Sequence, residues 1–155
     1  MSEATPALQH IARLGLPHEV VRYGRAHSVE EAAELRGVEL KRVIKSIVVR
    51  RSEGEYLIVL VPGDRVIDWK ALRSHLGESR LSLAPADEAL AATGYEPGTI
   101  TPLGSTTALP VVADASIEGL MSIGGGAHGV AVNVAADDLL PALGAGVAAV
   151  TKPGG

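Results

Sequence analysis

Val43-Ile-Lys-Ser-Ile-Val-Val-Arg-Arg51, Ser52-Glu-Gly54 and Tyr56-Leu-Ile-Val-Leu-Val61 set the architecture of this chain. The first and third segments are β-branched and apolar at both odd and even positions, so neither alternating face is patterned for water. Ser-Glu-Gly between them supplies a turn. Together they predict a hairpin in the middle of a sheet.

Upstream, Ser28-Val-Glu-Glu31 has the form of a capping box, with Ser28 serving the first-turn amides, Glu31 reaching back and Gly37 stopping the helix. Glu19–Tyr23 reads as a short strand, and Pro6–Leu14 as a helix that stops at Gly15. Downstream, Asp68–Leu76 is helical with a stop at Gly77, Arg80–Leu83 is a brief strand and Pro85–Ala92 a helix. Leu109–Ala113, Leu120–Ile123 and Val130–Val134 read as strands, Asp137–Leu143 as a helix and Val147–Val150 as a last strand. No internal repeat, low-complexity tract or linker interrupts the series. The expected fold is α/β: one domain with a mixed, mostly antiparallel sheet and surrounding helices, curling into a barrel being left open.

Composition narrows the function classes. A chain of 155 residues is long enough for a full core, and 46% hydrophobic against 21% charged residues is an ordinary globular balance. The absence of cysteine removes disulfides and thiolate metal sites, and the histidines (His10, His18, His27, His75, His128) show no close ligand pairing, so neither metal nor cofactor is expected. Met-Ser-Glu-Ala-Thr-Pro lacks the parts of a signal peptide, and the uncharged run Gly119–Ala136 carries too many glycines for a membrane span. A soluble cytoplasmic protein without membrane or DNA partners is the expectation. A net charge of −4 opposes wrapping a long nucleic acid, yet Lys41, Arg42, Lys45, Arg50 and Arg51 make one basic island between Glu39 and Glu53, which leaves room for a local contact.

The second notable stretch is Thr93-Gly-Tyr-Glu-Pro-Gly-Thr-Ile-Thr-Pro-Leu-Gly104. Glycine admits positive φ and close approach, while proline fixes φ and removes an N–H, so Gly98-Thr99-Ile100-Thr101-Pro102 has few conformations open to it. Read alone it is a connector; it is also suited to presenting backbone amides. Gly124-Gly-Gly126-Ala-His-Gly129 fits the spacing of a dinucleotide fingerprint, but a strand pattern follows it, and Asp137 and Asp138 come too early for the ribose contact. A glycine-rich hairpin turn is expected instead. Lys45-Ser46 lacks the glycines of a phosphate-binding loop, and no nucleophile elbow surrounds Ser46.

Lys45 shares its strand face with Val43, Ile47 and Val49, so its ammonium must reach solvent at the strand end or meet an anionic partner. It is either a snorkelling lysine or a cation aimed from a rigid element into a pocket. His27 and His128 stand as turn or surface histidines beside the catalytic alternative.

In their order, these residues resemble the YbaK and prolyl-tRNA synthetase editing-domain family of aminoacyl-tRNA deacylases. The resemblance runs from about Tyr23 to Val150. It comprises Tyr23 with His27, the helix Glu30–Gly37, Lys45-Ser46 where the family usually has Lys-Thr, Asp68-Trp-Lys70 and Leu76-Gly77. Thr93-Gly-Tyr95, Gly98-x-Ile-x-Pro102-Leu-Gly104, Leu109-Pro110, Asp114 and the hairpin ending in Gly129 complete it. It implies a single YbaK-like editing domain over residues 1–155. The implied activity is a freestanding, trans-acting deacylase that hydrolyses the ester of a mischarged amino acid, a small one on tRNA-Pro or similar, at the 3′ end of the tRNA. Prolyl-tRNA synthetase or another synthetase is an implied partner. Lys45 matches the family's essential lysine, and Gly98, Thr99, Ile100, Thr101 and Pro102 match its substrate loop. Tyr23, His27, Ser46, Gly124, Gly125, Gly126 and His128 complete the implied substrate-binding set.

An activated ester needs positioning and oxyanion stabilisation more than a side-chain nucleophile, so the lack of a triad agrees with this chemistry. The chain departs from the cysteine-clearing branch at Gly124 and Ala131, where that branch tends to carry serine and aspartate, and Ala127-His128 replaces the family's common basic pair. The rival reading is a binding module that holds an aminoacyl end or a nucleotide without hydrolysing anything.

Overall fold

Helix ends follow from capping chemistry. In the computed structural model, which describes residues 4–154, α1 (Pro6–Leu14) opens at Thr5, whose hydroxyl accepts the Leu8 amide, and closes at left-handed Gly15. Residues 1–3, part of the stretch read as lacking a leader, lie outside the described residues. Strand β1 (His18–Arg22) leads to α2 (Val29–Arg36), where Ser28 Oγ accepts the Glu31 amide at 3.0 Å and Gly37 ends the helix. The reciprocal bond expected from the Glu31 side chain is not among the hydrogen bonds of the described residues. A 3₁₀ turn at Leu40–Arg42 then feeds β2 (Val43–Ser52), β3 (Glu55–Pro62) and the short β4 (Arg65–Ile67).

Asp68 caps α3 (Trp69–Leu76) by accepting the Ala71 amide at 3.0 Å, and β5 (Ser82–Leu83) and α4 (Ala86–Thr93) follow. The Gly/Pro loop joins α4 to β6 (Val111–Asp114). Beyond it come β7 (Leu120–Gly124), β8 (Val130–Ala135), α5 (Ala136–Ala142), β9 (Gly146–Ala148) and β10 (Thr151–Pro153).

The expected hairpin lies at the middle of the main sheet, whose order is β1-β8-β7-β2-β3-β6-β9 with β5 also on β2. Pairing is antiparallel except for β2 with β7, β3 with β6 and β6 with β9, so the mixed, mostly antiparallel expectation holds. The pairing path has two ends, β1 and β9. The glycine-rich segment is a β7–β8 hairpin turn, with a strand on each side and no helix to receive a pyrophosphate. Both faces of β2 and β3 are covered. Ile44, Val48, Ile58 and Leu60 pack toward α1, α4 and α5, while Val49, Leu57, Val59 and Val61 pack toward α3, β4 and Val150. Each buried Val, Leu or Ile contributes about 1.5–3 kcal/mol, which is why the two-faced pattern fixes the hairpin at the centre.

Two elements differ from the sequence reading. Arg65–Ile67 forms β4, which that reading left unassigned, and the strand expected over Val147–Val150 ends at Ala148 as β9, with a separate β10 beginning past Val150. The division falls at Val150, fully buried, whose N–H donates to Asp114 Oδ1 at 2.9 Å while its carbonyl accepts the Asp68 amide at 2.9 Å. Those bonds turn the chain out of the β6–β9 ladder and set Thr151–Pro153 against β4.

Asp114, 2% exposed, is the clip. Its carboxylate accepts the amide and hydroxyl of Ser116 as well as the Val150 amide, and Arg65 Nε lies 3.9 Å away. Burial alone would raise its pKa, but the hydrogen bonds from Ser116, Val150 and Thr151 outweigh burial and hold the carboxyl below its ordinary value. A depressed folded pKa means stabilisation that is complete above the unfolded carboxylate value, about 3.9, and is lost as pH falls through the lower folded value. Asp114→Asn should therefore cost about 2–4 kcal/mol in urea unfolding at neutral pH. The gap to wild type should narrow once the solution is acid enough to protonate the native carboxyl.

Candidate functional site

Four segments far apart in the chain meet around a hollow of about 430 Å³: Tyr23–Val29, the start of β2, Gly98–Ile100 and the β7–β8 turn. Tyr23 is held by its N–H, which donates to the Gly129 carbonyl at 2.9 Å. The approach there is so close that a Cβ on Gly129 would stand 2.4 Å from the Tyr23 carbonyl oxygen. Arg36, in the last turn of α2, donates from Nε to the Tyr23 hydroxyl at 3.2 Å and from Nη1 to the Ser122 carbonyl at 3.1 Å. Its guanidinium also lies over the Tyr23 ring, 5.4 Å from the centroid.

The loop wall is braced from behind. The Thr99 amide and hydroxyl both donate to the Glu96 carbonyl, at 3.0 and 2.8 Å, and the buried Tyr95 hydroxyl donates to the Leu103 carbonyl at 2.7 Å. Gly98 takes φ +86°, a left-handed conformation that only glycine adopts without strain. Among the described residues the amides of Gly98 and Ile100 have no intramolecular acceptor, so the wall presents donors. The buried Ser46 Oγ also lacks a hydrogen-bond partner among those residues.

Lys45 enters from β2. Its ammonium donates to the Arg65 carbonyl at 2.6 Å, which meets the demand for a polar partner with a backbone oxygen where the sequence suggested solvent or an anion. Burial lowers its pKa, and the charges of Asp64 and Glu30 only partly offset that.

Lys45, Tyr23, His27, Ser46, Gly98, Thr99, Ile100, Gly124 and His128 all line the hollow. Thr101, Pro102, Gly125 and Gly126 do not, and their expected direct contact is corrected to support. Thr101 and Pro102 are buried, with the Thr101 hydroxyl accepting the Leu103 amide at 3.3 Å and Pro102 facing a second hollow behind the loop. The Gly125 amide donates to the Val130 carbonyl at 2.9 Å, and Gly126 packs against Tyr95 and Ala7. Sequence reading missed Arg25 and Arg36, whose place in the wall depends on how α2 docks. The one hint for Arg36 was a basic residue at a helix C-terminus, a signal ordinarily explained by the helix dipole.

The electrostatics are one-sided. Arg25, Arg36 and Lys45 line the hollow with His27 and His128, and no aspartate or glutamate does. The rest of the basic island is spent elsewhere: Arg50 lies 3.7 Å from Glu88, Arg51 pairs with Glu78 at 2.7 Å, and Arg42 donates to the carbonyls of Glu118 and Leu120. Among the described residues no cluster of three His, Asp or Glu side chains is placed to hold a metal ion, and no helix is long and apolar enough to cross a membrane. Cations and free amides around a cavity of ligand size can bind an anionic group and polarise a carbonyl beside it.

The model of the aminoacyl-tRNA editing domain family matches residues 24–141. Over 100 residues, 64% of this chain, the sequence is 35% identical to a proline–tRNA ligase of Thermosipho melanesiensis, and the match spans 17% of that protein. Over 113 residues, 73% of this chain, it is 34% identical to a proline–tRNA ligase of Latilactobacillus sakei and spans 20% of it. The chain thus spans about a fifth of the length of these relatives. Among solved structures, a proposed trans-editing enzyme for prolyl tRNA synthetase superposes with a TM-score of 0.88 at 25% identity, covering 97% of this chain and 99% of that one. A hypothetical protein superposes at 0.85 with 26% identity, covering 96% of this chain and all of the other.

A methyl group added at Gly98 would meet His128 Cε1 at 3.2 Å in a left-handed backbone. Gly98→Ala should lose about 1–2 kcal/mol and lower Tm by roughly 2–8 °C in a thermal melt.

Proposed function

This chain belongs to the aminoacyl-tRNA editing domain family, and from that premise we propose that it is a trans-acting deacylase that hydrolyses the ester of a mischarged tRNA. The observation that carries the reading is the hollow shared by Lys45 and the Gly98–Ile100 loop, lined by three full cations and no carboxylate in a protein of net charge −4. A 3′-terminal aminoacylated adenosine offers what such a cavity selects: phosphate charge, a planar base and a polarisable ester carbonyl.

In this mechanism Lys45 meets the phosphate of the terminal adenosine or the ester carbonyl, exchanging one of its contacts with the protein for the substrate. The amides of Gly98 and Ile100 hold the aminoacyl group and stabilise the developing oxyanion. The attacking group, a water or a nucleophile of the substrate, is oriented in part by the 2′-OH of the RNA, which DNA lacks. One donor of oxyanion-hole type is worth about 2.7–4 kcal/mol, so two give about 5–8 kcal/mol, or roughly four to six decades in rate. That suffices for a labile ester without a Ser or Cys nucleophile. The apolar lining of Val29, Ala32, Ile44 and Val130 favours a small amino acid side chain, and the proline–tRNA ligase relatives favour tRNA-Pro as the carrier. Domain boundaries of 1–155 and a synthetase partner belong to the same proposal.

A panel of mischarged tRNAs tests it. Wild type should release the amino acid from at least one, and Lys45→Ala should slow that release by about 10²–10³-fold. Lys45→Ala acting at the wild-type rate would remove the role assigned to the lysine, and wild type binding these RNAs without hydrolysing any would make the domain a binding module.

A further inference from the structure

The mechanism leaves unused a histidine that never reaches the hollow. His10, on α1, accepts the Gly104 amide through Nδ1 at 2.9 Å. An accepting Nδ1 carries no proton, so the ring is neutral with its hydrogen on Nε2. Gly104 is the far end of the loop whose near end walls the site, and it sits hard against α1: a Cβ there would lie 2.4 Å from the Pro6 carbonyl group. Helix α1 grips the other glycine wall as well. The Thr5 hydroxyl donates to the Gly125 carbonyl, and a Cβ on Gly126 would lie 3.2 Å from that of Ala7. This helix precedes the residues matched by the family model, 24–141. Both loops that present backbone to the site are thus fastened from behind by one element outside it.

We infer that His10 is a positioning residue for the deacylation proposed above: by accepting the Gly104 amide it fixes the Gly98–Gly104 loop in its donor-presenting form, and its protonation releases that loop. The inference rests on the deacylase reading for its kinetic consequences and on the hydrogen bond alone for its structural ones. Displacing aligned donors by about an ångström is enough to slow a reaction by about 10²-fold, so a loop anchor acts on the rate of the bound substrate more than on its affinity. The environment favours the neutral ring at neutral pH. Burial lowers the His10 pKa, and the charge of Arg13 lowers it further. Of the residues that line the second hollow with His10, Arg13 is the one other charged group; Pro6 and Gln9 of α1, Pro102, Gly104, Ser105, Ala108 and Leu109 of the loop, Val111 of β6, and Ala142 and Leu143 at the end of α5 contribute none.

Two variants of the full chain, His10→Ala and His10→Asn, carry the test. Asparagine Oδ1 stands the same number of bonds from Cα as histidine Nδ1, so it accepts the amide but does not titrate. Deacylation of the mischarged panel is followed from about pH 7.5 to about pH 5, the span of histidine titration. Backbone amide shifts of residues 98–104 are recorded over the same span without RNA. At the upper pH, His10→Ala should lose about tenfold in kcat with KM changed less than about twofold, and His10→Asn should recover most of the rate. The ratio of wild-type to His10→Asn rates should fall with pH, and the Gly98–Ile100 amides should titrate in wild type more than in His10→Asn. Unchanged kcat in His10→Ala, or a rate ratio flat with pH, would overturn the inference. If wild type hydrolyses no member of the panel, the deacylase reading fails by itself. The amide shifts then decide whether His10 governs the loop: titration of residues 98–100 abolished by His10→Asn supports it, and identical titration in both proteins overturns it.

Discussion

An ammonium group at the end of an apolar strand face needs an oxygen, and the bond from Lys45 to the Arg65 carbonyl is the interaction on which much of this architecture turns. That carbonyl is available because Arg65 lies in β4, and β4 exists because β10 pairs with it. Strand β10 is delivered by the turn at Val150, which Asp114 accepts, while the Arg65 side chain donates to the hydroxyl and carbonyl of Thr151 at 2.6 and 3.1 Å. One residue thus serves the cation of the site with its backbone and the C-terminal strand with its guanidinium. A carboxylate buried on β6 and a lysine on β2 are coupled through it.

The opposite wall solves a different problem: bringing backbone close to a ligand without side chains in the way. Glycines at 98 and 129 allow the loop and the Tyr23 segment to approach the hairpin turn at distances that a Cβ would forbid or strain. Rigidity returns through bonds behind the wall, from Thr99 to Glu96, Tyr95 to Leu103 and Gly104 to His10. The hollow also shows how local a field is. A protein with an acidic balance holds a cavity edged by Arg25, Arg36 and Lys45, because none of its lining residues is a carboxylate.

What could be read from the chain was what depends on neighbours in sequence. The two-faced apolar runs at 43–51 and 56–61, the Ser28 half of the capping box, the stops at Gly15, Gly37 and Gly77, and the glycine hairpin took the expected form. Lys45 and eight other residues of the expected substrate-binding set line one cavity. What could not be read was the division of labour inside each motif. Gly98–Ile100 face the hollow while Thr101 and Pro102 are buried behind it, and Gly124 lines it while Gly125 is tied into the ladder. Adjacent residues in such loops have opposite exposures, and composition does not say which is which.

The sequence by itself determined the hairpin at the centre of the sheet, the helix limits and the stiffness of the Gly/Pro loop, because capping, periodicity and allowed φ act over a few residues. Only the tertiary structure decided that Arg65–Ile67 would be a strand, that Arg36 would brace Tyr23, that His10 would hold Gly104, and that Arg50 and Arg51 of the basic island would be drawn into ion pairs. Each of those outcomes joins groups more than a dozen residues apart, and such a bond is strong only where packing has already brought its partners together. Local chemistry proposes the elements, and the burial of their faces selects which distant donors and acceptors come within reach.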